Sequence, residues 1–117
     1  MIRTANLAPL ALLALHPAQA QPPQPAADLT TTAQAHDRCM TTFAVRLTHT
    51  DATDQYIYTQ ASEGCRRLRE QLTALIDARM PAAQAAEIHQ ALQARAEPDF
   101  MALLTRIRTD RARRAAQ

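Results

Sequence analysis

"IYTQASEGCRRLREQLTALIDARMP", residues 57–81, decides the fold. Ile57, Ala61, Cys65, Leu68, Leu72, Leu75, Ile76 and Met80 recur at spacings of three and four. They therefore share one face of a helix that runs for roughly six turns or more. Glu63, Glu70 and Asp77 form its solvated side, with Arg66 and Arg67 at the helical separations that allow ion pairs. Gly64 stands inside this helix, where it costs about 1 kcal/mol against alanine. Its missing Cβ, next to Cys65, lets a facing helix come close. Pro81 stops the helix, because the residue before a proline is driven away from helical angles. The same proline suits the first position of the next helix.

On the amino-terminal side, "THTDATD" (residues 48–54) is dense in short polar side chains and reads as a turn. Thr50 or Asp51 is the expected cap of the helix that follows, with Asp54 near its positive end. A first helix is expected to start between Asp28 and Thr32. It carries Ala35, Cys39, Met40, Phe43 and Leu47 on one face. Beyond Pro81, Ala85, Ile88, Leu92 and Ala96 make a further apolar stripe. Pro98, preceded by Glu97, then breaks or kinks the chain before Phe100, Met101, Leu103, Leu104 and Ile107. The expectation is an all-α fold, a small up-and-down bundle of three to four helices with Pro98 deciding the number.

Composition agrees. A single glycine among 117 residues leaves too few turn and bulge positions for a β-fold, while Ala, Leu, Gln, Arg and Glu favour helix. Two tyrosines, two phenylalanines and no tryptophan leave a thin core. Cys39 and Cys65, the only cysteines, fall on the apolar faces of adjacent helices and are expected to form one inter-helix disulfide. In a symmetric hairpin they would be offset by about 7 Å. The bond therefore requires a lopsided turn, or a second helix that starts late, near Asp54.

The first residues place the chain in a compartment. Arg3 precedes the uncharged run Leu7–Leu15, and Ala18-Gln19-Ala20 follows. That order of charge, short apolar run and small residues reads as a secretory signal peptide over residues 1–20, cleaved after Ala20. Residues 21–27, with three prolines, read as a disordered leader, and residues 28–117 as a single helical domain. Thirteen arginines and no lysine suggest a GC-rich bacterial genome. The expected location is the periplasm, where disulfides persist. The formal charge of +2 includes Arg3, so the mature chain is nearly neutral and nucleic acid is a poor partner. The apolar run is too short to span a bilayer.

No residue pattern points to catalysis. The C-x-x-C of thiol oxidoreductases and the C-x-x-C-H of covalent haem are absent. His36 and Cys39 stand one turn apart, yet a zinc site ordinarily shows two close ligand pairs. Ser62, the only serine, has only Arg66 as a basic neighbour one turn away. No catalytic, metal or cofactor residue is assigned. The remaining feature is "RIRTDRARRAAQ" at residues 106–117, whose Arg106, Arg108, Arg111, Arg113 and Arg114 form a candidate interaction surface for an anionic envelope component. The alternative is a solvated helix end.

"MPAAQ", Met80 to Gln84, resembles the L-T-x-x-Q helix starts of periplasmic stress chaperones and metal-responsive adaptors of the CpxP/Spy type, with Pro81 where threonine is usual. The resemblance covers five residues and implies a client-binding role. The functional expectation is thus a non-enzymatic exported module that binds a protein or envelope component. A stress chaperone and an effector immunity protein are forms of it. A metal- or redox-active helical protein is the alternative from another class.

Overall fold

The structure, a computed structural model, describes residues 28–117; the expected leader, its cleavage site after Ala20 and the proline-rich segment 21–27 lie outside the described residues. It is a small bundle of four helices in chain order: α1 (Leu29–Leu47), α2 (Asp54–Gly64), α3 (Arg66–Arg79) and α4 (Ala82–Ala115).

Local side-chain chemistry sets the boundaries. The Thr31 backbone N–H donates to the Asp28 carboxylate at 2.6 Å, which caps α1. That bond, foremost, holds the Asp28 carboxyl below its ordinary value of 3.8. In the turn after α1, the Thr50 hydroxyl donates to the Leu47 carbonyl at 2.6 Å and accepts from the Ala52 N–H at 3.2 Å. Thr50 therefore shapes the turn, and neither it nor Asp51 caps a helix. The cap of α2 is Thr53, whose hydroxyl accepts from Tyr56 N–H at 3.2 Å. Helix α2 starts at Asp54, the late start that pairing of the two cysteines requires. The disulfide between Cys39 and Cys65 is formed, with its Cα atoms 5.9 Å apart.

The long helix expected over residues 57–80 is divided. Cys65, at φ −103° and ψ 10°, ends α2 and precedes α3. Two causes meet there. Gly64 has low helix propensity, and Cys65 is tied sideways to α1. A Cβ built on Gly64 would run into the far edge of the Phe43 ring of α1, so the close approach expected of this glycine is made by an aromatic side chain.

Pro81 precedes α4 as its cap, because its ψ of 146° is extended while its carbonyl accepts from Ala85 N–H at 2.9 Å. It therefore sits one position earlier than expected. Pro98 neither ends a helix nor separates two: α4 runs through it for 34 residues. The carbonyl that loses its partner, that of Ala94, lies in a stretch exposed to water. The buried residues Phe100 and Leu104 hold the helix on the core just beyond. The fourth helix comes from the break at Cys65, not from Pro98.

The core is small. Ala44, Ile57, Ala61, Phe100 and Leu104 form it, with Met40, Phe43, Leu47 and Tyr58 among the side chains packed around. Tyr58 and Phe100 meet in a tilted pair with ring centroids 5.4 Å apart. Ile76 of α3 and Ala85 of α4 are buried at the other end. Residues 90–99 of α4, between these two regions, are all exposed. Leu92 is 47 % exposed and Ala96 is exposed as well, so the apolar stripe expected there has no core to cover.

With so few core side chains, the disulfide should dominate stability. Its loop spans 26 residues, for which chain entropy gives about 3.5 kcal/mol. The double substitution Cys39→Ala, Cys65→Ala should lower the unfolding free energy by about that amount in urea melts.

Candidate groove between the helices

Because α4 is held at its two ends, its exposed middle leaves a groove of about 1040 Å³ bounded by α1, α2, α3 and α4. Met40, Tyr58, Leu72, Phe100 and Leu103 give it an apolar floor. Leu92 and Ala96 stand on the α4 wall. His36, Asp37, Arg69, His89, Arg95, Asp99 and Arg106 supply the charged and titratable groups. This mixture of apolar floor and polar wall is the composition of a binding surface.

Each polar group has a definite setting. Arg95 Nε lies 3.6 Å from the Asp99 carboxylate, one helical turn away on α4. The Arg69 guanidinium donates to the Ser62 carbonyl at 3.3 Å, across the break between α2 and α3. His89 Nε2 lies 2.7 Å from Asp77 Oδ1 and ties α4 to α3 at one end of the groove. His36 is half-buried in the α1 wall, 3.9 Å from Asp37. Burial pushes the His36 imidazolium below its ordinary value of 6.5; Arg69 adds to the shift and Asp37 opposes it.

The five arginines of the carboxyl-terminal segment do not share one role. Arg111 reaches back to the end of α1. Its guanidinium donates to the Thr48 carbonyl at 3.2 Å, the Thr48 hydroxyl at 3.0 Å and His49 Nε2 at 3.1 Å. It thereby satisfies an orphan carbonyl at that helix end. Arg108 pairs with Asp54 at 2.6 Å, joining α4 to the start of α2. Arg113 lies 3.7 Å from Asp110 on its own helix. Arg106 lines the groove, and Arg114 borders a smaller niche of about 320 Å³ with Val45 and His49. Two of the five thus stitch the bundle together.

The other candidates are scattered. Cys39 and Cys65 carry no free thiol. His36 and His89 face the groove, whereas His49 is engaged by Arg111 at the far end of α1. Among the described residues no three His, Cys, Asp or Glu side chains converge as metal ligands. Sequence reasoning had not placed Asp77 beside His89, nor Leu92 on an open wall. The available signal for the first was a pair of residues twelve apart, astride the sharp stop at Pro81.

His36 makes stability depend on pH with a definite sign. Its folded-state affinity for a proton is below that of the unfolded chain, so proton uptake favours unfolding. The stability associated with neutral His36 is complete above the ordinary value of 6.5 and is lost as pH falls through it. The urea midpoint should therefore drop as pH falls below the ordinary value of 6.5, and His36→Gln should flatten that drop. Asp28, depressed instead, acts only lower, around and below its ordinary value of 3.8.

Comparison of the chain with protein-family models, with curated proteins and with solved structures finds no match, so the groove and its chemistry carry the functional reading.

Proposed function

We propose that the protein is a non-enzymatic interaction module of the periplasm, exported by a cleaved leader, and that it binds a partner protein in the groove. One observation carries the reading: α4 is packed at both ends and exposed throughout residues 90–99, with Leu92 47 % exposed beside an apolar floor. A concave lining of apolar side chains set among charged ones is a form that binding sites take. The thin core sharpens the point, since Leu92 stands largely exposed in a chain with few large apolar residues.

The lining favours binding over chemistry. Apolar and arginine side chains hold a partner by burial and charge, and the hydrogen bond of Ser62 at the break is made through its backbone carbonyl. The disulfide suits an oxidising compartment. No helix among the described residues is long and apolar enough to cross a membrane.

A photo-crosslinking amino acid placed at Leu92, with Thr109 on the exposed outer part of α4 as control, tests this reading in a bacterium that exports the chain. A discrete protein adduct at Leu92 and none at Thr109 is expected, on a mature chain that begins at Gln21. Equal labelling at both positions, or no adduct at Leu92, contradicts it.

A further inference from the structure

We propose that the occupant of the groove is an acidic amphipathic helix of a partner protein, lying along the exposed middle of α4. The inference rests on the reading of the groove as the binding face and adds the form and charge of what binds.

The spacing of the wall residues points to a helix. On α4, His89, Leu92, Ala96, Asp99, Leu103 and Arg106 face the groove. Their separations of three, four, three, four and three are those of a coiled-coil seam. Helix α1 supplies Ala33, His36 or Asp37, and Met40 at the same spacing, and α3 supplies Arg69 and Leu72. Helices α1 and α4 thus present rows spaced by three and four to one space, beside the Arg69–Leu72 pair of α3. A further helix interlocks with such rows by placing its own knobs between theirs. The exposed stretch of α4, residues 90–99, is about 15 Å long, close to three helical turns. An extended peptide finds no counterpart, because helical walls offer no unpaired strand edge to extend. A flexible acyl chain needs a continuous apolar lining, and here His36, Arg69 and Asp99 interrupt it.

Charge gives the helix its sign. Arg95 is matched by Asp99 at 3.6 Å and Asp37 lies against His36 at 3.9 Å. Among the described residues, neither Arg69 nor Arg106 has a carboxylate within 4.0 Å. The groove therefore carries an excess of positive charge, which glutamates flanking the apolar face of a helix complement.

The test uses a labelled peptide of roughly 18 residues, long enough to form a helix, with leucine at the a and d positions and glutamate at e and g. One comparator carries lysine for glutamate, and a second carries two central prolines. Binding to the oxidised protein is read by fluorescence anisotropy, with the Leu92→Asp and Arg106→Glu variants alongside. Both sites are exposed, and thermal melts verify that the variants fold. The acidic helix should bind at least about tenfold more tightly than either comparator. Leu92→Asp should weaken it by about tenfold or more, and Arg106→Glu should weaken it less, by a salt-dependent amount.

Equal binding of the proline peptide, or tighter binding of the lysine peptide, overturns the helix or its charge. The Leu92 crosslink remains in either case as separate evidence for the groove. If no peptide binds, the helical occupant is wrong, whether or not palmitate raises the melting temperature. A dimer in sedimentation that Leu92→Asp abolishes would show that a second copy fills the groove, and would also overturn the proposal. Loss of the crosslink removes the functional reading itself.

Discussion

The bond between Cys39 and Cys65 fixes more than the distance between two helices. It ties the middle of α1 to the one residue where the long apolar periodicity of residues 57–80 is interrupted. Next to it, Gly64 admits the Phe43 ring, and Arg46 covers that ring with its guanidinium 4.8 Å from the centroid. The core beyond is a handful of side chains with a single aromatic pair. In so thin an interior, a covalent link that restricts the unfolded chain outweighs any one packing contact.

The break also borders the groove, whose lining includes Ser62 just before it and Arg69 just after. Phe100 and Leu104 of α4 bury into the core with Ile57 and Ala61 of α2, while at the other end Ala85 is buried and His89 meets Asp77 of α3. Arg108 and Arg111 fasten the far end of α4 to α2 and to the end of α1. Between these fastenings α4 has no neighbour close enough to cover it. The carboxyl-terminal arginines thus have two jobs that sequence alone could not divide, since an arginine closing a helix end and one facing solvent look the same in a string of letters.

Much of the fold was legible from periodicity and caps. The all-α class, the disulfide, a start of α1 between Asp28 and Thr32 and the stop at Met80–Pro81 follow from local chemistry that tertiary packing leaves alone. The cap of α2 is Thr53 instead of Thr50 or Asp51, the single helix expected over residues 57–80 is divided, and the choice left open at Pro98 falls to one continuous helix. Pro98 is a strong breaker in isolation, but solvent satisfies the carbonyl it strands, and the burial of Phe100 keeps the helix in place. Gly64 is a mild breaker in isolation, yet next to a residue tied sideways it ends a helix. The groove was not legible, because Leu92 and Ala96 fit the apolar stripe as well as Ala85 does. Only the path of α4 separates the covered residue from the bare ones.

Hydrogen exchange across residues 29–79, read by mass spectrometry or NMR in oxidised and gently reduced protein, tests the central claim most directly. Arg66, Arg67 and Leu68 are the first amides of α3, with no side-chain cap at Cys65. The account predicts two protected blocks separated by rapid exchange at those three amides in the oxidised protein, and loss of protection in both α1 and α2 on reduction. Unbroken protection from Ile57 to Ile76 that reduction leaves unchanged would contradict it. In that case the chain would fold as one long helix, independently of its disulfide.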